Sequence, residues 1–183
     1  GMPPTVSFSA EPLVSCINSV VTFTDESSDF ANGWEWDFGD GGSSEDQHPL
    51  YEFRDTGVMD IMLTALHHSC PAEHTLFQYI EVVPPKAAFQ IDRVCDHLYK
   101  IDFNDNSIGA DSIVYDFGVP NMDTDTSSQR NPSWTYATTG DYMVSQVAFN
   151  FTTGCSDTLL QLVQITEPKA SFLLSTMTGC APL

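Results

Sequence analysis

The chain predicts an all-β protein: two β-sandwich repeats in tandem, followed by the first strand of a third. Three observations carry this. Trp34, Trp36 and Phe38 alternate with Glu35 and Asp37, the period-two pattern of a half-buried strand. Short apolar runs are separated by turn residues throughout, and no stretch shows convincing amphipathic helical spacing. The chain also repeats itself at a period of about 80 residues.

The elements follow in order. In the first repeat, Thr5–Ala10 and Val20–Thr24 read as strands, then the tryptophan strand ending at Phe38. Asp40-Gly41 is a hairpin signal, since both types tolerate positive φ. A polar stretch leads to Pro49-Leu50-Tyr51-Glu52-Phe53. Gly57 opens what reads as the longest strand, with Met59, Ile61, Leu63 and Ala65 on one face, and Thr75–Val83 closes the unit. In the second repeat the last two strands read as Tyr142–Phe149 and Asp157–Thr166. Phe8 and Phe89 stand 81 residues apart, Phe23 and Phe103 80, and Trp36 and Tyr115 79. Pro49, Gly57, Ala65 and Leu76 match Pro132, Gly140, Ala148 and Leu159 at 83. The resulting domains are 1–84, 85–168 and a fragment, 169–183, opened by Phe172. Val83-Pro84-Pro85-Lys86 and Thr166-Glu167-Pro168-Lys169 are short linkers that proline stiffens, so an elongated, end-to-end array is expected.

Composition narrows the function. With 6 basic and 25 acidic residues the net charge is −19, which argues against nucleic acid and anionic membrane as partners. No apolar run approaches the roughly 18 residues of a membrane span, so no membrane insertion is expected. Gly1-Met2 reads as an expression remnant, and without a signal peptide a secreted origin would make this an internal piece of a longer chain. The five cysteines are widely spaced without C-x-x-C pairs, which suits disulfides in an oxidising compartment. Nucleophile-elbow, H-E-x-x-H and phosphate-loop motifs are absent, so the reading is non-enzymatic.

The run Trp36-Asp37-Phe38-Gly39-Asp40-Gly41, with Pro132-Ser133-Trp134-Thr135-Tyr136 and Gly140-Asp141-Tyr142-Met143-Val144 downstream, resembles the PKD (polycystic kidney disease) domain. The resemblance covers nearly the whole chain and is to the type found in bacterial secreted and surface proteins. It implies an immunoglobulin-like sandwich that is non-catalytic and extracellular or cell-surface. The implied role is spacing, adhesion or protein–protein contact with neighbouring domains. The alternative is a carbohydrate-binding accessory module of a secreted hydrolase, with a surface polysaccharide as partner. The second repeat departs from the pattern: Tyr115 replaces tryptophan, Val119-Pro120 replaces Asp-Gly, and Gln146 stands where Leu63 does.

Candidate site residues are few. Trp34 and Trp36 read as core, because Ile113 at the position of Trp34 packs well and stacks poorly. Trp134, opposite Tyr51 in the repeat, is the candidate ligand aromatic, in competition with packing over the sandwich end. No cofactor is expected, and calcium is the alternative to that reading. If strand direction alternates, Asn18, Asp37 and Asp40 share a pole and form a candidate calcium set; the resemblance points the same way, through PKD modules of bacterial collagenases. The competing and preferred reading has Asp37 and Asp40 bonding turn amides. Asp123-Thr124-Asp125 is a fragment of a calcium loop without its glycine and distal glutamate. His67, His68, Cys70 and His74 read as a solvated loop before the last strand. Asn150-Phe151-Thr152 fits an N-glycosylation acceptor.

Two disulfide schemes remain open. Pairing within repeats joins Cys16 to Cys70 and Cys95 to Cys155, leaving Cys180 over. In an alternating sandwich, however, Cys16 and Cys70 fall at opposite poles, about 20 Å apart by strand rise, while a disulfide needs Cα atoms within about 7 Å. Stacking the repeats end to end would instead bring Cys16 to Cys155 between modules and leave Cys70, Cys95 and Cys180 for modules not present.

Overall fold

The computed structural model describes residues 3–68, 70–93 and 97–167, all strand, turn and loop. The first half contains β1 (Phe8–Glu11), β2 (Val14–Cys16), β3 (Val20–Asp25), β4 (Gly33–Asp37), β5 (Ser43–Ser44), β6 (Leu50–Glu52), β7 (Gly57–His67) and β8 (Cys70–Val83). One sheet runs β1-β3-β6 and the facing sheet β2-β8-β7-β4-β5. The second half contains β9 (Phe89–Arg93), β10 (Lys100–Asp105), β11 (Ser112–Asp116), β12 (Thr126–Ser127), β13 (Ser133–Thr135), β14 (Gly140–Phe149) and β15 (Ser156–Ile165). Its sheets run β13-β10-β9 and β12-β11-β14-β15. Each half encloses its own cluster of buried side chains, Trp36, Phe38, Phe23 and Leu63 in one and Tyr115, Phe117, Phe103 and Val144 in the other. The all-β sandwich architecture expected from the sequence is thus the observed one. Residues 168–183, which include the expected third strand and Cys180, lie outside the described residues, as does Cys95.

Three details differ from the sequence reading. Val14–Cys16 forms a strand, β2, that pairs in parallel with Glu81–Val83 of β8. The chain leaves the first sheet after Glu11 because Pro12 has no amide to continue the ladder. The longest strand is β8, with 14 residues, and not β7. Finally, Leu159 is the counterpart of His74 and not of Leu76: β7 pairs Leu63 with His74, while β14 pairs Gln146 with Leu159. The ladder of β7 and β8 shifts between Met59 and Ile61, and Gln78, at φ +51°, donates its amide to Asp60 Oδ1 at 2.7 Å. This bulge carries the extra residues in β8, so the spacing of 83 holds only on one side of it.

Gln146 reaches the core as the sequence allowed, and it is fully buried there. Its Nε2 donates to Asp105 Oδ1 at 3.0 Å and to Tyr115 Oη at 2.9 Å, and its Oε1 accepts from Ser107 at 3.1 Å. Arg130 closes the group through Asp105 Oδ2 at 2.6 Å. Burial pushes the Asp105 carboxyl up, but the bonds from Ser107, Arg130 and Gln146 outweigh it and hold the group below the usual carboxylate range. The first half solves the same corner with Leu63 and Trp36, whose Nε1 donates to the Asp46 carbonyl at 2.9 Å. A buried polar group is tolerated only with partners, so Tyr115 and Gln146 depend on each other. Gln146→Leu should therefore cost the second half about 1–3 kcal/mol. Hydrogen exchange at the amides of β11 and β14 isolates that half, and unchanged protection there would refute the prediction.

Candidate functional site: the motif turn and the joint between the halves

The Trp-Asp-Phe-Gly-Asp-Gly run is a strand end and turn. Trp36 and Phe38 are fully buried, and Trp34 is partly so. The rings of Trp36 and Phe38 stack 7° from parallel, and Tyr51 lies on Phe38 with centroids 3.9 Å apart. The second half repeats this stack with Tyr115, Phe117 and Trp134, the last at 4.7 Å from Phe117. Trp134 thus occupies the place of Tyr51 at the end of the sandwich, half-buried, its Nε1 without a hydrogen-bond partner among the described residues. The Trp34 indole donates to Asp25 Oδ2 at 2.7 Å.

The carboxylates of the motif bond the turn itself. Asp37 Oδ1 accepts from the Gly39 amide at 2.9 Å, and Asp40 Oδ1 from the Gly42 amide at 2.9 Å. Positive φ falls on Gly39 and Gly41, at +79° and +91°, and not on Asp40. Gly39 also admits the backbone of Asp60, whose carbonyl oxygen would lie 2.5 Å from a Cβ. Gly42 leaves room for the Tyr51 phenol, which donates to the Asp40 carboxylate at 2.9 Å. In the second half Asp116 keeps the role of Asp37, accepting the Gly118 amide at 2.8 Å, and the buried Asp125 carboxylate accepts the Val119 amide at 2.6 Å.

The remaining candidate residues are dispersed. Asn18 turns away to donate to Asp157, while Asp37 and Asp40 stay in their turn. Among the described residues no group of three His, Cys, Asp or Glu side chains is placed to hold a metal ion. His67, His68, Cys70 and His74 do not form a loop, since β7 runs to His67 and β8 begins at Cys70. His74 packs on Phe8, and His67 on Phe30 and His68. Asn150 holds its own turn, donating to the Gly109 carbonyl at 2.6 Å and accepting from Thr152 and Thr153.

What the structure does assemble is a joint. A disulfide links Cys16 to Cys155, Cα to Cα 5.7 Å, across 139 residues of sequence. The pairing within repeats is thereby corrected: Cys16 ends β2, whereas Cys70 opens β8 far from the Glu81–Val83 segment that β2 pairs with, and Cys70 is a free thiol. Beside the bridge, the Asp157 carboxylate accepts from Asn18 Nδ2 at 3.0 Å and from the Ala87 amide at 2.8 Å. One group therefore holds both the first half and the chain just past the linker. Thr153 Oγ1 donates to the Pro84 carbonyl at 2.9 Å, and Lys86 pairs with Asp55 at 3.1 Å. Gly109, at φ +64°, lets Pro84 approach; a Cβ there would lie 2.5 Å from the proline ring. Gly109 carried no motif, and Asp157, though it stands in the Gly154-Cys155-Ser156-Asp157-Thr158 run, carried no sign of a bridging role before the halves were placed.

Residues 2–82 match the family described as the PKD domain, and this stretch of the chain is a PKD domain. Among solved structures, the PKD1 domain of Vibrio anguillarum Epp is 28% identical, covering 47% of this chain and 98% of its own, with a TM-score of 0.39. The PKD1 domain from the Vibrio cholerae metalloprotease PrtV is 26% identical, covering 46% and 100%, also at 0.39. A structure titled for carbohydrate-binding modules of the β-sandwich superfamily is 14% identical, covering 80% and 58%, at 0.42. No curated protein matches the chain.

The Tyr51–Asp40 bond gives a pH prediction. Burial, then the hydrogen bond to Asp40 and its charge, push the Tyr51 phenol up to about 12. A folded value above the unfolded one of about 10 means that the stabilisation is complete below pH ~10 and is lost as pH rises toward 12. Tyr51→Phe should flatten the fall in stability above pH 10. Alkaline unfolding curves of the two proteins check this, and superimposable curves would refute it.

Proposed function

We propose that the chain is a non-catalytic spacer or adhesion segment of a larger extracellular or cell-surface protein. Its parts are two PKD-type modules, 1–84 and 85–168, and the start of a third at 169–183. The PKD match supports a non-catalytic accessory role. The observation that carries the reading is the joint: a disulfide, a shared carboxylate and a linker proline seated on Gly109 all restrain one interface. A flexible tether needs none of these, whereas a segment that holds neighbours at a set distance needs its hinge locked. A persistent disulfide also suits an oxidising compartment outside the cytosol. Among the described residues no helix is long and apolar enough to cross a membrane.

The alternative, a carbohydrate-binding accessory module, rests on Trp134, whose half-buried ring and unpartnered Nε1 lie at a sandwich end. Small-angle scattering combined with binding assays tests the two readings. The spacer reading expects an elongated particle whose length distribution broadens when Cys16 and Cys155 are both replaced by Ser. It also expects no retention on insoluble chitin or cellulose. A compact, side-by-side particle overturns the spacer reading. Retention that disappears in Trp134→Ala establishes the alternative.

A further inference from the structure

The first half carries, at its own entrance, the features that receive a preceding module on the second half. The strand registers make Cys70 the counterpart of Cys155. Ala65 pairs with Ala72 and its counterpart Ala148 with Asp157, and each cysteine stands two residues before that partner. Cys155 is bonded across the joint, while Cys70 is a free, partly exposed thiol.

The entry segments agree independently. Pro3-Pro4 precedes Phe8 at the same distance as Pro84-Pro85 precedes Phe89, and the second proline is buried in each case. Ser28 donates its amide to the Thr5 carbonyl at 3.0 Å, as Ile108 does to Lys86 at 2.9 Å. Glu26 donates to Ser7 at 2.8 Å, as Asn106 does to Ala88 at 2.8 Å. The chain thus enters the first half along the path by which it leaves the linker for the second.

We propose that the first half is itself a docking surface for a preceding module of the same kind, joined covalently through Cys70 to that module's equivalent of Cys16. The inference rests on the spacer reading and extends it from one locked joint to a repeating one. Ala72 stands where Asp157 bridges the described joint, so no carboxylate clamp is available at this position. The bond through Cys70 carries more of the new joint, which becomes sensitive to the thiol balance of its surroundings.

The chemistry balances with a small-molecule disulfide such as oxidised glutathione as the oxidant. The Cys70 thiolate attacks it, forming a mixed disulfide and releasing one glutathione thiolate. The incoming module's thiolate then attacks the Cys70 sulfur and releases the second. Two protein thiols lose two protons and two electrons, and one disulfide is reduced to two thiols.

The test extends the full chain with a second copy of residues 3–83 placed directly before Pro3, so that the new junction reads Val83-Pro3-Pro4 like Val83-Pro84-Pro85. Cys70→Ser is introduced in the added copy only. The protein is equilibrated in a glutathione redox buffer and mapped without reduction. The expected result is one Cys16–Cys70 link for each Cys16–Cys155 link. A free or glutathione-capped Cys16 in molecules that retain Cys16–Cys155, or a link from it to any other cysteine, overturns the inference. It leaves the spacer reading to its scattering test.

Discussion

Asp157 accepts one hydrogen bond from the Asn18 side chain and one from the Ala87 amide, and the Cys16–Cys155 bridge closes beside it. The relation between the two halves depends on this small cluster. A carboxylate with two oxygens can satisfy two donors that belong to different segments, and it does so only if both hold their places. The disulfide ties the halves together at this point, and the linker proline packs closely against Gly109 beside it. The acidic surface, net −19 over the chain, would otherwise push the halves apart.

Within each half the cores are variations on one plan. An aromatic from the motif strand stacks on the next aromatic, and a third ring closes the end: Trp36, Phe38 and Tyr51, or Tyr115, Phe117 and Trp134. The differences are compensated locally. Where tryptophan becomes tyrosine, leucine becomes glutamine, and a hydroxyl meets an amide in place of two apolar surfaces. Asp25 and Asp105 keep one role in both halves. Burial raises the Asp25 carboxyl, and the bonds from Ser27, Gln47 and Trp34 more than offset it; Asp105 has Ser107, Arg130 and Gln146 for the same purpose. These carboxylates knot a strand end to the adjoining loop, which is why acidic residues at these positions need no ligand to explain them.

Much of this was legible in the amino acids. Alternation at Trp34, Trp36 and Phe38 announced the buried strand, and the repeat announced a second copy of it, because side-chain period and burial are local consequences of a pleated chain. The turn roles of Asp37 and Asp40 were legible for the same reason, their partners lying two residues away. The excursion of β2 was not, since three residues pairing with a strand 67 positions later leave no local trace. The bulge in β8 was hidden by a spacing that happened to agree on one side of it.

The sequence by itself determined the class of structure, the repeat and the aromatic cores, all of which follow from patterns within a few residues or from comparison of the chain with itself. It also left two disulfide schemes standing, since cysteine spacing says nothing of which poles meet. Only the tertiary structure decided that Cys16 meets Cys155, that Asp157 serves two segments at once, and that Pro84 packs against Gly109. The physical reason is distance along the chain. Bonds between residues 70 to 139 positions apart are set by how finished sandwiches stack, and that information belongs to surfaces rather than to any stretch of sequence.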